Sequence, residues 1–292
     1  MKKISIIMMA LALVMGMGQC KKAEQPANGN INGEKPIITV KFNNSSKLYF
    51  GPQTQGVIPV MWYPDDIVYV AVNGQCIGYL KATSTAAYPP HHPDHEYGYS
   101  TGLFSGYPST FNIAALGEGD KMHFFTLGGV RQTPLNGDFH EGWGATQFTF
   151  SYADQSVQPA VLSHGVAVEG YDPNNPDANY HCDVFSNMNA LVKFTVKSGA
   201  TNKQITLKNV KNQATIKFTG EVVDSNETGD IITYINEFWN EPSSATRYAC
   251  IPTNQGSMEG IVSTPGKPNA GTFKIKASAS VNGVIPGEIT LN

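Results

Sequence analysis

The sequence predicts an all-β protein, built as two β-sandwich domains in tandem after an export signal and a flexible tether. Apolar and polar residues alternate over many short segments, which is the period of half-buried strands. Turn-forming residues separate these segments, and the spacing typical of amphipathic helices is nearly absent. Gly 29, Pro 18, Tyr 13 and Phe 14 among 292 residues suit a sheet protein with many turns.

Composition excludes several classes of protein. Hydrophobic residues make up 41% and charged residues 15% of the chain, a balance typical of folded domains rather than disorder. The formal net charge of -3 gives no electrostatic basis for binding nucleic acid or an anionic membrane surface. No apolar segment after the N-terminal one approaches transmembrane length, so we expect any membrane attachment to be an N-terminal lipid.

Residues 1–19 have the pattern of a signal peptide. Lys2 and Lys3 form a positive start, and Ile4 to Met15 is an apolar segment too short to span a bilayer stably. Small residues then lead to Cys20. The protein is therefore expected outside the cytoplasm.

Two modes of cleavage fit this leader. Met17, Gly18, Gln19 and Cys20 resemble a lipobox, although Gln19 is larger than the usual small residue; ordinary cleavage after Gly18 also fits. We favour lipid attachment at Cys20, because a cysteine at the end of such a leader is otherwise an improbable coincidence. Residues 20–35 would then be a lipidated tether, polar and without periodicity.

The first sandwich is predicted over residues 36–170 and begins with a strand at Pro36 to Phe42. Trp62, at the head of a β-prone segment, is expected in the core. Ile67 to Val72 forms the next strand, and Asn73-Gly74 predicts a tight hairpin into Cys76 to Leu80. Asp120 to Leu127 repeats the pattern of Asp65 to Val72, which predicts two paired strands of one sandwich.

Further strands are predicted from the same alternation, and two segments are predicted as loops. The loops are Thr83 to Tyr107 and Leu135 to Trp143, both irregular in pattern. The densest cluster of turn formers, Tyr171 to Asp177, places a domain boundary before the second sandwich at 171–292. The remaining strands are expected near Phe148 to Tyr152, Val161 to Val168, Val192 to Val196, Ile205 to Leu207, Ala214 to Phe218, Ile231 to Ile235, Tyr248 to Ile251, Phe273 to Val281 and Val284 to Leu291.

The candidate chemical motifs favour no enzyme, metal or cofactor. Gly98 to Gly102 matches GxSxG around Ser100, but no strand-to-helix unit surrounds it. His91, His92 and His95 cluster around Pro93, which prevents a helix from placing them on one face. If Cys20 carries lipid, Cys76, Cys182 and Cys250 remain; they allow at most one disulfide and are most simply small buried hydrophobes.

Aromatic residues in the predicted loops suggest a different function, the binding of glycans at the cell surface. Trp143 lies between glycines in a predicted loop, and Tyr97 and Tyr99 lie in another. Aromatic rings stack on sugars, so these three residues are the candidate ligand contacts of a glycan-binding lipoprotein.

Several segments resemble the fimbrillin-like lipoproteins of Gram-negative anaerobes. The resemblance covers most of the mature chain and rests on short motifs. These are the lipoprotein-like leader, Trp62 to Val70, Gly119 to Phe125 and Asn189 to Val196.

This resemblance implies two tandem transthyretin-like sandwiches, a lipid anchor in the outer membrane, and a role as a pilus subunit, anchor or adhesin. It also implies assembly by strand exchange, in which proteolysis removes the first strand and the C-terminal strand of a neighbouring subunit fills the groove. Here the removable strand would be near Pro36 to Phe42, and the donor near Phe273 to Leu291. The partners would be other pilus subunits, the outer membrane, and host or glycan ligands.

The processing site departs from the family pattern. Known stalk subunits are cut after an arginine, but Arg131 and Arg247 both lie beyond the first strand. Three possibilities remain open: a cut at Lys41 or Lys47, a cut by a protease of different specificity, or no cut at all. An anchoring subunit that keeps its first strand is as consistent with the sequence as a polymerising one.

Overall fold

The structure is a computed structural model, and it describes residues 33–42, 49–50, 60–62, 66–87, 99–127, 144–155, 160–169, 180–196, 204–223, 227–234, 246–253, 258–263, 271–275 and 284–289. Within these ranges most residues lie in strands, and a 3-10 helix spans Ile113–Ala115. No helix of the described part is long and apolar enough to cross a membrane. The predicted all-β class is confirmed.

Twenty-two strands make up the described fold. The first eleven are β1 (Ile38–Phe42), β2 (Tyr49–Phe50), β3 (Val60–Met61), β4 (Ile67–Val72), β5 (Gln75–Ala87), β6 (Tyr99–Gly106), β7 (Met122–Leu127), β8 (Gln147–Ser151), β9 (Asp154–Gln155), β10 (Leu162–Val166) and β11 (Val168–Glu169). The others are β12 (Tyr180–Cys182), β13 (Phe185–Asn187), β14 (Asn189–Val196), β15 (Gln204–Lys211), β16 (Gln213–Lys217), β17 (Val222–Val223), β18 (Thr228–Tyr234), β19 (Thr246–Pro252), β20 (Met258–Ser263), β21 (Gly271–Ile275) and β22 (Val284–Ile289).

The largest sheet has nine strands and curls on itself. Its order is β11-β12-β1-β6-β5-β4-β7-β10-β13. Strands β12 and β13 lie near opposite ends of this order, yet only Asp183 and Val184 separate them in sequence, so the two ends must meet. A Cβ atom on Gly165 of β10 would lie 2.7 Å from Cys182 Sγ of β12, which confirms that the ends are in contact.

Two cores form on the two faces of this sheet. Val68, Val70 and Val72 of β4 point into an inner core enclosed by the curl. Tyr69 and Ala71 point the other way, into an outer core. Because β4 is buried on both faces, it needs an apolar residue at almost every position, which explains the unbroken apolar segment in the sequence.

The outer core is closed by strands of the second layer. These strands lie in sheets of order β19-β14-β22, β21-β20-β15-β18-β9 and β17-β16-β8. Ile205, Leu207 and Ile216 contribute buried side chains to this core, in the alternation that their sequence predicts.

Several local predictions are confirmed. Asn73 and Gly74 both have positive φ, 51° and 76°, as a two-residue hairpin turn requires. The two similar segments pair directly, since β4 is antiparallel to β7 with Tyr69 opposite Phe125. Trp62 is fully buried.

The predicted loop at Thr83 to Tyr107 is wrong over most of its length. Strand β5 continues to Ala87, and β6 occupies Tyr99 to Gly106 as its antiparallel partner. The small and hydroxylated residues here carry no apolar alternation, so the strand is not visible in the sequence. It is held by the backbone ladder and by Thr83 Oγ1, which donates to the Leu103 carbonyl at 3.0 Å.

Strands from both sides of residue 171 share sheets. Strand β1 pairs with β12, while β8 pairs with β16 and β9 with β18. Residues 171–179, where the boundary is predicted, lie outside the described part. The division into two sandwich domains stays a prediction.

Candidate functional site: the position of strand β1

Strand β1 is the first described strand in the sequence, but it lies inside the curled sheet. It is antiparallel to β6, with Ile38 opposite Gly106 and Phe42 opposite Gly102, and it is parallel to β12, with Val40 opposite Tyr180. Ile38, Val40 and Phe42 are buried, and Thr39 and Lys41 are half-buried. The strand predicted at Pro36 to Phe42 is confirmed.

Phe42 fills an aromatic pocket, which we define as Trp62, Phe104, Phe124 and Phe185. The Phe42 ring centroid lies 5.5 Å from that of Trp62, 5.0 Å from Phe104, 5.1 Å from Phe124 and 5.2 Å from Phe185. The Phe104 and Phe124 contacts are edge-to-face, a favourable arrangement of aromatic quadrupoles. Phe42 has no exposed surface.

Two glycines of β6 make room for side chains of β1 and of the aromatic pocket. A Cβ on Gly102, opposite Phe42, would lie 2.6 Å from Phe104 Cε2. A Cβ on Gly106, opposite Ile38, would lie 2.8 Å from Ile38 Cγ2 and 2.9 Å from Leu80 Cδ2. All three distances are shorter than carbon contacts allow, so Gly106 must lack a side chain for Ile38 of β1 to pack there, and Gly102 must lack one for the Phe104 ring of the aromatic pocket.

A carboxylate holds the chain just before β1. Glu34 Oε2 accepts hydrogen bonds from the Ser109 hydroxyl at 2.6 Å and from the Ser109 backbone N–H at 3.2 Å. The Ile37 N–H then donates to the Gly106 carbonyl at 2.9 Å. Residues 34 and 35 were predicted as part of the flexible tether; the attachment of Glu34 corrects this, and no sequence pattern indicated it because Ser109 is 75 residues away.

The position of Lys41 bears on the predicted processing sites. Lys41 is paired with Leu103 on one side and His181 on the other. Proteases bind an extended chain whose backbone is free, so a cut at Lys41 requires β1 to leave the sheet first. Lys47 lies outside the described residues.

Most of the other predicted site residues also lie outside the described part. This holds for Cys20, Trp143 and Tyr97, and for the cluster of His91, His92 and His95. Tyr99 begins β6, with its backbone opposite Ala87. Their role in ligand contact stays a prediction.

The motif around Ser100 has a clearer outcome. Ser100 lies within strand β6 rather than at a turn between a strand and a helix, so its backbone lacks the conformation of a nucleophile elbow. Among the described ranges, no three His, Cys, Asp or Glu side chains are grouped to hold a metal ion.

Three cysteines are buried and free within the described part of the chain, as the sequence suggested. Burial raises the pKa of Cys76 to about 11 and that of Cys182 to about 12. Burial also raises the pKa of Cys250. Because the thiolate is the reactive form, these three thiols are unreactive in the folded protein.

A histidine pair on two adjacent strands of the curled sheet, β7 and β10, packs against the second layer. His123 Nδ1 and His164 Nε2 lie 2.9 Å apart, and the ring centroids lie 5.2 Å apart with planes within 18°. The centroid distance exceeds the N···N distance by 2.3 Å, which is about the sum of the two ring radii. The rings therefore lie end to end and share an N–H···N hydrogen bond. A Cβ on Gly220 of the second layer would lie 2.6 Å from His164 Cε1, so this turn packs directly on the ring.

Acid should destabilise the protein through His164. Burial, and then the neighbouring His123, lower its pKa from 6.5 to about 4 in the folded state. The unfolded chain therefore binds more protons between these pH values, and stability falls as the pH decreases from about 6.5 to about 4. Burial also lowers the pKa of His123, so urea unfolding across this range should show proton uptake by both histidines, and His164→Gln should remove the larger part of that pH dependence. An unchanged pH dependence in the His164→Gln variant would contradict the assignment to His164. His181→Gln is the control, and it should leave most of the pH dependence in place.

Solved structures of Bacteroides proteins are similar to this chain. A candidate cell adhesion protein of Bacteroides ovatus is 13% identical with a TM-score of 0.48, over 88% of this chain and 92% of that one. A candidate cell adhesion protein of Bacteroides thetaiotaomicron is 9% identical with a TM-score of 0.41, over 78% of this chain and 80% of that one. A fimbrial protein of Bacteroides ovatus is 11% identical with a TM-score of 0.39, over 88% of this chain and 50% of that one.

Comparison by sequence gives no match. No protein-family model matches the chain. No curated protein matches it either.

Proposed function

We propose that this chain is an exported, lipid-anchored protein of the cell surface that acts as a fimbrial subunit, anchor or accessory adhesin and assembles by strand exchange. One observation carries the proposal: β1 comes first among the described strands in the sequence and yet is interior to its sheet. A single cut after β1 therefore releases an interior strand while the rest of the sheet remains one covalent chain. The proposal includes no enzymatic step, metal or cofactor.

Loss of β1 would leave a groove that must be refilled. Strands β6 and β12 would each expose one edge of unpaired backbone groups. The sites of Ile38, Val40 and Phe42 would be exposed as well, and burial of each such side chain contributes about 1.5–3 kcal/mol. A strand from another subunit would restore both the hydrogen bonds and the apolar contacts.

Retention of β1 gives the anchoring form of the same proposal. With β1 held in the sheet and Cys20 carrying lipid, the protein would stay at the outer membrane. Removal of β1 would take the lipid with it and free the subunit for assembly. Lys47 is the better candidate for this cut, because the backbone of Lys41 is paired on both sides.

Cellular experiments test the proposal directly. The mature N-terminus should be a lipidated Cys20 in the membrane fraction, detectable by mass spectrometry and by incorporation of labelled palmitate. A form beginning between residues 43 and 48 should appear with any assembled filaments. Electron microscopy of cells with and without the protein should show a difference in filaments; identical filaments, in number and length, would refute the fimbrial role.

A thiol count provides a second test of the lipid anchor. The folded protein should not react with a thiol reagent, because Cys76, Cys182 and Cys250 are buried. After denaturation in guanidinium, protein purified from membranes should show three reactive thiols, since Cys20 would be blocked as a thioether. A fourth thiol, reactive even before denaturation, would show that Cys20 is unmodified and would refute the lipid anchor. A Cys20→Ala variant sets the baseline for the count.

A further inference from the structure

We propose that the groove of β1 selects a strand by one aromatic residue, and that the segment Phe273 to Ala277 of a second copy fits it in the direction opposite to β1. This inference rests on the proposed strand exchange. It adds the register and the direction of the incoming strand, neither of which strand exchange by itself defines.

The aromatic pocket is the most demanding site in the groove. Four rings surround Phe42 with centroid distances between 5.0 and 5.5 Å, and Gly102 lies opposite it in the ladder. An aliphatic or small residue at this site would leave a cavity lined by aromatic rings, and cavities of this kind cost several kcal/mol. The pocket therefore requires an aromatic ring from the incoming strand.

The other two sites are less demanding. Val40 lies opposite Phe104, and Ile38 lies opposite Gly106 near the start of the groove. Side chains at these sites must be apolar, because both positions are buried. A matching strand thus needs an aromatic residue at one end and apolar residues two and four positions away.

The C-terminal part of the chain contains one segment that satisfies this pattern. Phe273 is the only aromatic residue after Tyr248, so it fixes the register. In the opposite direction to β1, Ile275 falls at the site of Val40 and Ala277 at the site of Ile38. In the same direction as β1, Gly271 and Asn269 would fall there, and neither supplies an apolar side chain. Read backwards, the segment is Ala-Lys-Ile-Lys-Phe, beside Ile-Thr-Val-Lys-Phe in β1.

The arrangement of strands permits this exchange. Strand β21 is at the edge of its sheet and, in the described part of the chain, pairs only with β20. Its release breaks a single ladder. In the groove it would be parallel to β6 and antiparallel to β12, the reverse of β1, and both kinds of ladder form in mixed sheets.

Peptide exchange tests the inference on the mature full-length chain. A recognition sequence for a specific protease is inserted between Ser45 and Ser46, and cleavage leaves β1 held without a covalent link. Peptides are then added, and native mass spectrometry measures displacement of the β1 fragment. The peptides are residues 271–279, the same peptide with Phe273→Ala, residues 36–44 as a positive control, and residues 284–292.

We expect residues 271–279 to displace β1 and residues 284–292 to do so far less. Phe273→Ala should weaken displacement by about tenfold or more, because the aromatic pocket stays empty. Direction is measured with a fluorophore on a Ser109→Cys variant, since Ser109 lies near the Ile38 end of the groove and the other described thiols are buried. A quencher on the C-terminus of the peptide should quench more strongly than one on its N-terminus.

The outcomes separate this inference from the proposed function. If residues 36–44 exchange but residues 271–279 do not, or if Phe273→Ala has no effect, the groove exists and the inference is wrong. Stronger quenching from the N-terminus would overturn the assigned direction. If neither peptide exchanges, β1 is a permanent strand, and strand exchange itself is refuted together with the inference.

Discussion

Replacing Phe42 with alanine should destabilise the protein by about 3–5 kcal/mol, the usual range for removing a fully buried phenylalanine. The side chain has no exposed surface, and its ring contacts all four rings of the aromatic pocket. Close packing on every side leaves little freedom for the pocket to collapse into the space. Equilibrium unfolding in urea measures the change.

Thr39→Ala is the matched control on the same strand. Thr39 is half-buried and makes one hydroxyl contact, to Ser105 Oγ at 3.3 Å, so its loss should cost about 1 kcal/mol or less. Hydrogen exchange should also show faster opening of β1 in Phe42→Ala than in Thr39→Ala. Equal stabilities of the two variants would mean that Phe42 does not anchor β1.

Replacing Gln155 with alanine should cost about 3 kcal/mol or more, because several buried backbone groups would lose their partners at about 1–3 kcal/mol each. Gln155 Oε1 accepts from the backbone N–H groups of Ala160 and Cys250, both at 2.9 Å. Its Nε2 donates to the carbonyls of Cys250 at 2.6 Å and Tyr152 at 3.1 Å. One side chain thus joins β9 to β19, 95 residues away in sequence.

Gln147→Ala is the control for this experiment. Gln147 is the same residue type on β8, the strand that precedes β9 in the sequence. It is exposed, so its replacement should change stability by less than about 0.5 kcal/mol. Gln155→Glu should be nearly as harmful as Gln155→Ala at neutral pH, since a carboxylate cannot donate to the two carbonyls. Thermal or urea unfolding of the three variants decides the matter; a tolerated Gln155→Glu would contradict the hydrogen bonding described.

The sequence was most informative where a strand has a polar and an apolar face or a specific turn. The alternation in β1, the Asn73-Gly74 hairpin and the similarity of β4 to β7 are all local patterns, and the structure confirms each of them. It was least informative between Thr83 and Gly106. There, small and hydroxylated residues form strands through backbone pairing, which leaves no periodic signal.

The candidate site was only partly visible for a related reason. The sequence predicted β1 as a strand and Trp62 as core. It gave no indication of the hydrogen bonds between Glu34 and Ser109, or of those that Gln155 makes to the backbone of β19. Both depend on a partner that is distant in the chain. A signal was present at Gly102 and Gly106, two glycines four residues apart, although nothing in the sequence shows which strand packs against them.

The sequence by itself determined that the chain is all-β and that β1 has an apolar face. Only the tertiary structure decided that β1 is interior to a curled sheet. The physical reason is that alternation depends on the two faces of one strand, whereas position within a sheet depends on backbone pairing with β6 and β12, far along the chain.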